Sequence, residues 1–119
     1  MIFPPAVHIL GVILRRDGKD GEAITYFERS AKLGFQAGFA DMGFTYGQQD
    51  SQVRNAVLSY AWLTLAISRE PKANLKDYLE ASRAKVGKSM SDADIAIAKG
   101  IAEDLKGKYS QVPVWSDQQ

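Results

Sequence analysis

The sequence EAITYFERSAKLG, residues 22–34, places small and large apolar side chains on one side of a helix. The sequence NAVLSYAWLTLA, residues 55–66, repeats this pattern, and each copy follows a large apolar residue joined to glycine, LG at 10–11 and MG at 42–43. The two pairs lie 32 residues apart. A pair of helices that recurs at this period is typical of helical repeat proteins, whose units stack on one another. We therefore predict an all-α chain of antiparallel helical hairpins.

Six segments with helical periodicity are separated by residues that begin or end helices. Pro4 and Pro5 suit a helix start, whereas Gly34 suits a helix end. Asp20 and Ser91 are predicted to cap the helices that follow them. No segment alternates apolar and polar residues for long enough to predict a strand. The predicted helices span residues 6–16, 22–33, 36–47, 53–68, 75–86 and 92–106.

Two glycines inside the third predicted helix indicate close helix packing. Gly38 and Gly43 each lower helix propensity by roughly 1 kcal/mol relative to alanine. This cost is tolerable where another helix packs against the bare backbone. The fifth predicted helix is expected to bury one side, which carries Leu75, Tyr78, Leu79 and Ser82.

Composition excludes several classes of protein. The chain has 119 residues, 45% of them hydrophobic and 24% charged, which is typical of one ordinary globular domain. The net charge is +1 with both signs interspersed, so the chain lacks the basic footprint of a nucleic-acid-binding protein. The absence of cysteine excludes disulfides and thiolate metal sites. The spacing of Tyr26, Phe27, Tyr60 and Trp62 predicts core packing rather than a base-stacking platform.

The apolar N-terminus predicts a first helix rather than a leader or a membrane span. No basic residue precedes the apolar run in residues 1–14, and two arginines follow it. The run is also shorter than the roughly 20 residues that cross a bilayer. We predict no membrane span and assign the protein to the cytoplasm by default.

Residues 42–66 carry a family pattern in which Met42 is followed by Gly43 and Tyr46, and later by Ser59, Trp62, Leu63 and Ala66. This spacing resembles the Sel-one-like repeat family, a relative of the tetratricopeptide repeats, and the resemblance covers about residues 6–105. It implies a short right-handed α-solenoid of about two repeats plus a C-terminal capping hairpin. We assign residues 1–108 to this helical-repeat domain and residues 109–119 to a tail. The short loop at residues 17–20 leaves open a plain tetratricopeptide repeat for the first hairpin.

The titratable residues do not predict an enzyme. His8 is the sole histidine, and no acidic residue lies three or four positions from it, so a structural role is favoured. Asp92 and Asp94 are expected to face the positive end of their helix. The basic residues of segment 72–88 are interrupted by acidic ones and predict a solvated face. We therefore predict no catalytic residue, no metal site and no cofactor.

Two surfaces are candidates for binding a partner. The helix at residues 6–16 is apolar on nearly every side, and its candidate residues are His8, Ile9 and Ile13. The tail, a second copy in a homodimer or an upstream repeat could cover it, and otherwise it is a partner site. The outer face of the third helix holds the other candidates, Phe39, Asp41, Phe44, Thr45 and Gln48. An exposed Phe39 or Phe44 would be an anchor for a partner, and the alternative is that both rings pack against the first or fifth helix.

The repeat favours a non-enzymatic protein–protein interaction module, an adaptor or scaffold. It would bind a protein or peptide on the concave face formed by the first helix of each hairpin, and it would not bind nucleic acid. The alternative is a small inhibitor or immunity-type protein that blocks one cognate enzyme or toxin. The short chain and the apolar first helix motivate that alternative.

Overall fold

The computed structural model describes residues 3–116, in which six α-helices form and no strand occurs. The all-α prediction is confirmed, and each predicted helix is present with its ends within three residues of the predicted positions. The helices are α1 Pro4–Arg16, α2 Asp20–Lys32, α3 Gln36–Gly47, α4 Ala56–Arg69, α5 Ala73–Gly87 and α6 Asp92–Tyr109.

The helix ends follow elementary capping rules at most positions. Pro4 is the first residue of α1, where its missing N–H leaves no bond unmade. Ser91 caps α6 by accepting a hydrogen bond from the Asp94 backbone N–H at 3.1 Å. Gly34 follows α2 with φ +87°, a conformation that favours glycine. Asn55, which the sequence analysis did not single out, caps α4 and sets its start later than predicted.

The prediction that Asp20 caps α2 is wrong. Lys19 occupies the N-cap position, and Asp20 lies inside the first turn with only 1% of its surface exposed. Its carboxylate accepts hydrogen bonds from the Arg15 guanidinium and from the Gln52 backbone N–H, both at 2.8 Å. Leaving a buried carboxylate without partners costs more free energy than leaving a helix without a side-chain cap, so the position of Asp20 follows from these two hydrogen bonds.

Each of the first two hairpins has a glycine on its first helix that packs against a large side chain of its second helix. A Cβ atom at Gly11 would lie 2.6 Å from the Phe27 ring, and one at Gly43 would lie 2.6 Å from Leu63 Cγ. The glycines therefore let the first helix of each hairpin touch a large side chain of the second. Phe27 and Leu63 are 36 residues apart, which matches the spacing between the two second helices.

The connections within these hairpins also share a backbone hydrogen bond. The Lys19 N–H donates to the Leu14 carbonyl, and the Asn55 N–H donates to the Tyr46 carbonyl, each at 2.8 Å. Leu14 and Tyr46 are 32 residues apart, which is the predicted period. The second hairpin thus repeats the first in its internal contacts.

Helix α4 is the centre of the molecule, with α3, α5 and α6 packed around it. Small and large apolar residues alternate along it and are buried on more than one side, which lets three helices approach. Phe27 and Trp62 are in the core as predicted, whereas Tyr26 and Tyr60 are only half-buried. The buried apolar residues of α4 are Ala61, Trp62, Leu63, Leu65, Ala66 and Ile67.

The predicted tail is part of the packed structure where it is described. Tyr109, its first residue, ends α6 and is 1% exposed, with its ring edge-on to Phe39 at 5.2 Å and to Trp62 at 5.8 Å. Residues 110–116 then cross to the other side of the molecule, where the Trp115 N–H donates to the Gly34 carbonyl at 2.9 Å. Residues 117–119 of the predicted tail lie outside the described residues.

The buried tyrosine predicts a loss of stability at high pH. Burial, with a smaller contribution from the Glu28 carboxylate, raises the pKa of Tyr109 from 10.0 to about 12. The folded protein therefore holds this proton more tightly than the unfolded chain, and the resulting stability is present below pH 10 and lost as pH rises to 12. We expect the free energy of unfolding from urea titrations to fall by about 2–3 kcal/mol across this range.

Tyr109→Phe is the control, because phenylalanine keeps the ring and removes the titrating group. The Tyr109 hydroxyl is buried without a hydrogen-bond partner among residues 3–116, so the exchange should leave stability at pH 7 unchanged or slightly raised. Burial also raises the pKa of Tyr46, so the variant should keep a smaller fall. An equal fall in the wild type and the variant would contradict the prediction.

Candidate functional site

A groove runs between α3 and α5, which both pack against α4. Its first cavity, about 600 Å³, is lined by the C-terminal halves of α3 and α5, and its second, about 630 Å³, by their N-terminal halves and the tail. Phe44 and Tyr78 line both cavities, so the two are continuous parts of one site. We call this site the α3–α5 groove and define its two walls as residues 36–48 and 72–89.

The middle of the groove is apolar and open. The Phe44 and Tyr78 rings meet edge-on across it, with centroids 6.0 Å apart. Tyr78 is 62% exposed and Leu75 is 42% exposed, although both belong to the helix side that the sequence predicts to be buried. Of that side only Leu79 enters the core, because α5 packs on α4 and stands apart from α3. The groove therefore presents apolar side chains that residues 3–116 leave exposed.

The floor of the first cavity is made of small residues. Gly43 and Gly47 line it beside Ser59, whose hydroxyl donates to the Gly43 carbonyl at 2.7 Å. A Cβ atom at Gly47 would lie 2.5 Å from the Ser59 hydroxyl, so the α3 backbone packs directly against the Ser59 side chain here. The hydrogen bond gives the Ser59 hydroxyl a structural role, because it joins α4 to α3.

The first cavity is basic. Arg54, Lys85 and Lys88 line it, and both lysines are exposed at its edge. Asp50 also lines it, so three basic residues and one acidic residue give the lining a formal charge of +2. The basic side chains therefore keep a net positive charge that faces the groove.

The second cavity is weakly acidic. Asp41 and Glu70 line it together with Lys72, which leaves one formal negative charge. His8 Nε2 on α1 contacts the Asp41 carboxylate, and the two side chains are 16% and 27% exposed. The pair joins α1 to α3 beside the groove.

The His8–Asp41 contact was not predicted, because only residues three or four positions from His8 on the same helix were considered as acidic partners. The two residues are 33 positions apart, one more than the period of the repeat. A period of 32 places Ala40 at the position equivalent to His8, so Asp41 is its direct neighbour on the next first helix. The repeat spacing is therefore the signal that could have found the pair.

The predicted candidates on α3 separate into two groups. Asp41, Phe44 and Gln48 line the groove. Phe39 and Thr45 do not lie on an exposed face, because they are 0% and 3% exposed. The α3 helix is covered by other helices on two sides, which leaves a narrower free surface than one hairpin alone would have.

The other two predicted candidates on α1, Ile9 and Ile13, do not line the groove. Ile9 and Ile13 are 54% and 44% exposed, and Leu10 between them is 48% exposed. Of the alternatives for covering this face, the tail does not provide the cover within residues 110–116, because these three side chains stay exposed while Trp115 contacts the Phe3 ring, with centroids 5.5 Å apart. The homodimer through residues 6–16 stays a prediction.

The groove residues that sequence reasoning missed are on α5. Tyr78 and Leu75 were assigned to the core, and Lys85 and Lys88 to a solvated face. Their spacing already indicates a shared side, because Leu75, Tyr78 and Lys85 recur at helical intervals. Because α5 stands apart from α3, that side of α5 lines a cavity.

Among residues 3–116, no three or more histidine and acidic side chains are grouped so that they could hold a metal ion. Within the same range, no helix combines the length and apolar character needed to cross a membrane. Comparison of the chain with protein-family models, curated proteins and solved structures finds no match.

Proposed function

We propose that this protein is a non-enzymatic interaction module that binds a protein or peptide segment in the α3–α5 groove. The observation that carries the proposal is the exposure of Leu75 and Tyr78 opposite Phe44 in an open site of two joined cavities. Apolar side chains gathered in a concave site with polar edges are typical of binding surfaces.

The groove offers a physical reason for affinity. Burying a large apolar side chain contributes about 1.5–3 kcal/mol, and a ligand side chain packed against the Phe44 and Tyr78 pair would also remove surface of both rings from water. Tyrosine is frequent among residues that dominate binding energy, since it gives a large contact area with few rotatable bonds. The half-buried Phe44 and the well-exposed Tyr78 are thus the expected anchors.

Removal of the Tyr78 ring should weaken binding without unfolding the protein. Peptides enriched from a random display library on the wild-type chain serve as probes, and fluorescence anisotropy gives their dissociation constants. We expect Tyr78→Ala to raise the Kd by about tenfold or more, because it deletes an anchor of the groove. The side chain is 62% exposed, so its loss leaves no cavity in the core.

The matched control is Ile97→Ala on α6, which removes an apolar side chain of similar exposure, 56%, outside the groove. It should leave the Kd unchanged. Failure to enrich any peptide, or equal binding by the Tyr78→Ala variant, would refute the proposal.

The exposed face of α1 favours the second candidate function, a small inhibitor that docks on one cognate enzyme or toxin. Ile9, Leu10 and Ile13 form an apolar helix face of the kind that packs on a partner surface. A partner of that class would lose affinity with Leu10→Ser and keep it with Tyr78→Ala. The two candidates are therefore separated by the same pair of variants.

A further inference from the structure

The two ends of the α3–α5 groove carry opposite charge, and this gives the groove a direction. We infer that its ligand is an extended peptide segment with an apolar residue in the middle and acidic residues at the end that enters the first cavity. The inference rests on the proposed function and adds the chemistry and orientation of the ligand.

The length of the groove sets the length of the segment. Its α3 wall extends from residue 36 to residue 48, and a helix rises about 1.5 Å per residue, so the wall is roughly 18 Å long. An extended chain advances about 3.3 Å per residue and would span this distance with about six residues. The Phe44–Tyr78 contact lies between the two cavities, so the apolar residue belongs near the middle of the segment.

The basic end selects acidic side chains. Lys85 and Lys88 are on the last turns of α5, exposed at the cavity edge, and Arg54 faces them from the α3–α4 connection. Asp50 is the one acidic residue of this lining, so the three basic side chains leave a formal charge of +2 even when its carboxylate is counted. Carboxylates of a ligand would find unpaired cations here at the rim of an apolar site.

The acidic end opposes the reverse orientation. Asp41, Glu70 and one lysine, Lys72, line the second cavity, so a segment turned around would bring its carboxylates to a lining with two acidic residues. Like charges at close range disfavour a binding mode even where attractive contacts are weak. The groove therefore selects an orientation as well as a composition.

The test compares two charge-reversed double variants of the full chain. Lys85→Glu with Lys88→Glu alters the groove, whereas Lys32→Glu with Lys99→Glu alters exposed positions on α2 and α6. Each lysine-to-glutamate exchange lowers the net charge by two, so both double variants change it from +1 to −3. The probes are the display-enriched peptides and versions with each Asp or Glu replaced by Asn or Gln.

We expect enriched peptides to carry Asp or Glu on one side of an apolar residue. The groove variant should weaken them about five- to tenfold at low salt, and the control variant less than twofold. Selection on the groove variant should then enrich Lys or Arg at the same positions.

Peptides that require Tyr78 but carry no acidic preference, and that bind the groove variant normally, would overturn the inference and leave the proposed function in place. Equal weakening by both double variants would also overturn it, because the effect would then follow the net charge. Absence of any Tyr78-dependent peptide would remove both proposals together.

Discussion

Replacement of Gly38 by alanine is expected to lower the free energy of unfolding by about 2–4 kcal/mol, although alanine is the better helix former. The added Cβ would lie 2.3 Å from the Ser30 hydroxyl, 2.8 Å from the Ala31 backbone nitrogen and 2.8 Å from the Phe27 carbonyl oxygen. A side chain can turn away from such a contact, whereas backbone atoms can move only if α2 and α3 separate. That separation would open the core between the two hairpins.

Gly100→Ala is the matched control for this experiment. Gly100 is also inside a helix, α6, but nothing lies within 4 Å of the place where its Cβ would be. The same chemical change should therefore raise stability there, by up to about 1 kcal/mol. Urea denaturation followed by circular dichroism measures both variants, and a Gly38→Ala variant as stable as Gly100→Ala would contradict the close crossing of α2 and α3.

The prediction for Gly38 shows which parts of this fold are readable in the sequence. The two glycines of the third predicted helix indicated close packing, and both Gly38 and Gly43 lie against a neighbouring helix, whereas Gly100 shows that a helical glycine can also be free of contacts. The helices themselves were predictable, because helical periodicity and the residues that begin and end helices are local features of the sequence. The predicted Asp20 cap is wrong because the Asp20 carboxylate instead accepts hydrogen bonds from Arg15 and from Gln52, which lies 32 residues away.

The groove was not predictable from the same signals. Leu75 and Tyr78 have the spacing of buried residues, and whether they are covered depends on the distance between α3 and α5. That distance is set by how each helix packs on α4, which periodicity does not encode. Phe44 could be proposed as an anchor on α3, but its partner ring on α5 required the three-dimensional structure.

Replacement of Arg69 by methionine is expected to lower the free energy of unfolding by about 2–4 kcal/mol. The guanidinium donates to the Tyr109 carbonyl at 3.1 Å and to the Val112 carbonyl at 2.9 Å, and it lies 4.6 Å from the centre of the Phe39 ring. Burial lowers the pKa of Arg69, but an arginine stays charged at neutral pH. Methionine retains much of the apolar volume, so the loss reports mainly on the hydrogen bonds and the contact with the ring.

Arg29→Met is the control, because Arg29 lies over the Tyr26 ring at 5.1 Å on an exposed part of α2. An exposed contact of this kind should contribute within about 0.5 kcal/mol, so the control should unfold close to the wild type. Similar losses in both variants would show that the two hydrogen bonds from Arg69 contribute little to stability.

The Arg69 variant also links the fold to the proposed site. Arg69 binds the end of α6 and the start of the tail, and the tail residues Val114 and Trp115 line the second cavity. Loss of that anchor should speed hydrogen exchange at the Trp115 amide, which donates to the Gly34 carbonyl. Exchange at the Leu58 amide, held by the Asn55 cap, should change only as much as global stability does.

The contrary outcome is a Trp115 amide that stays protected while stability falls. The tail is then held by the contacts of Trp115 with Phe3 and Phe35, and its place in the groove does not depend on Arg69.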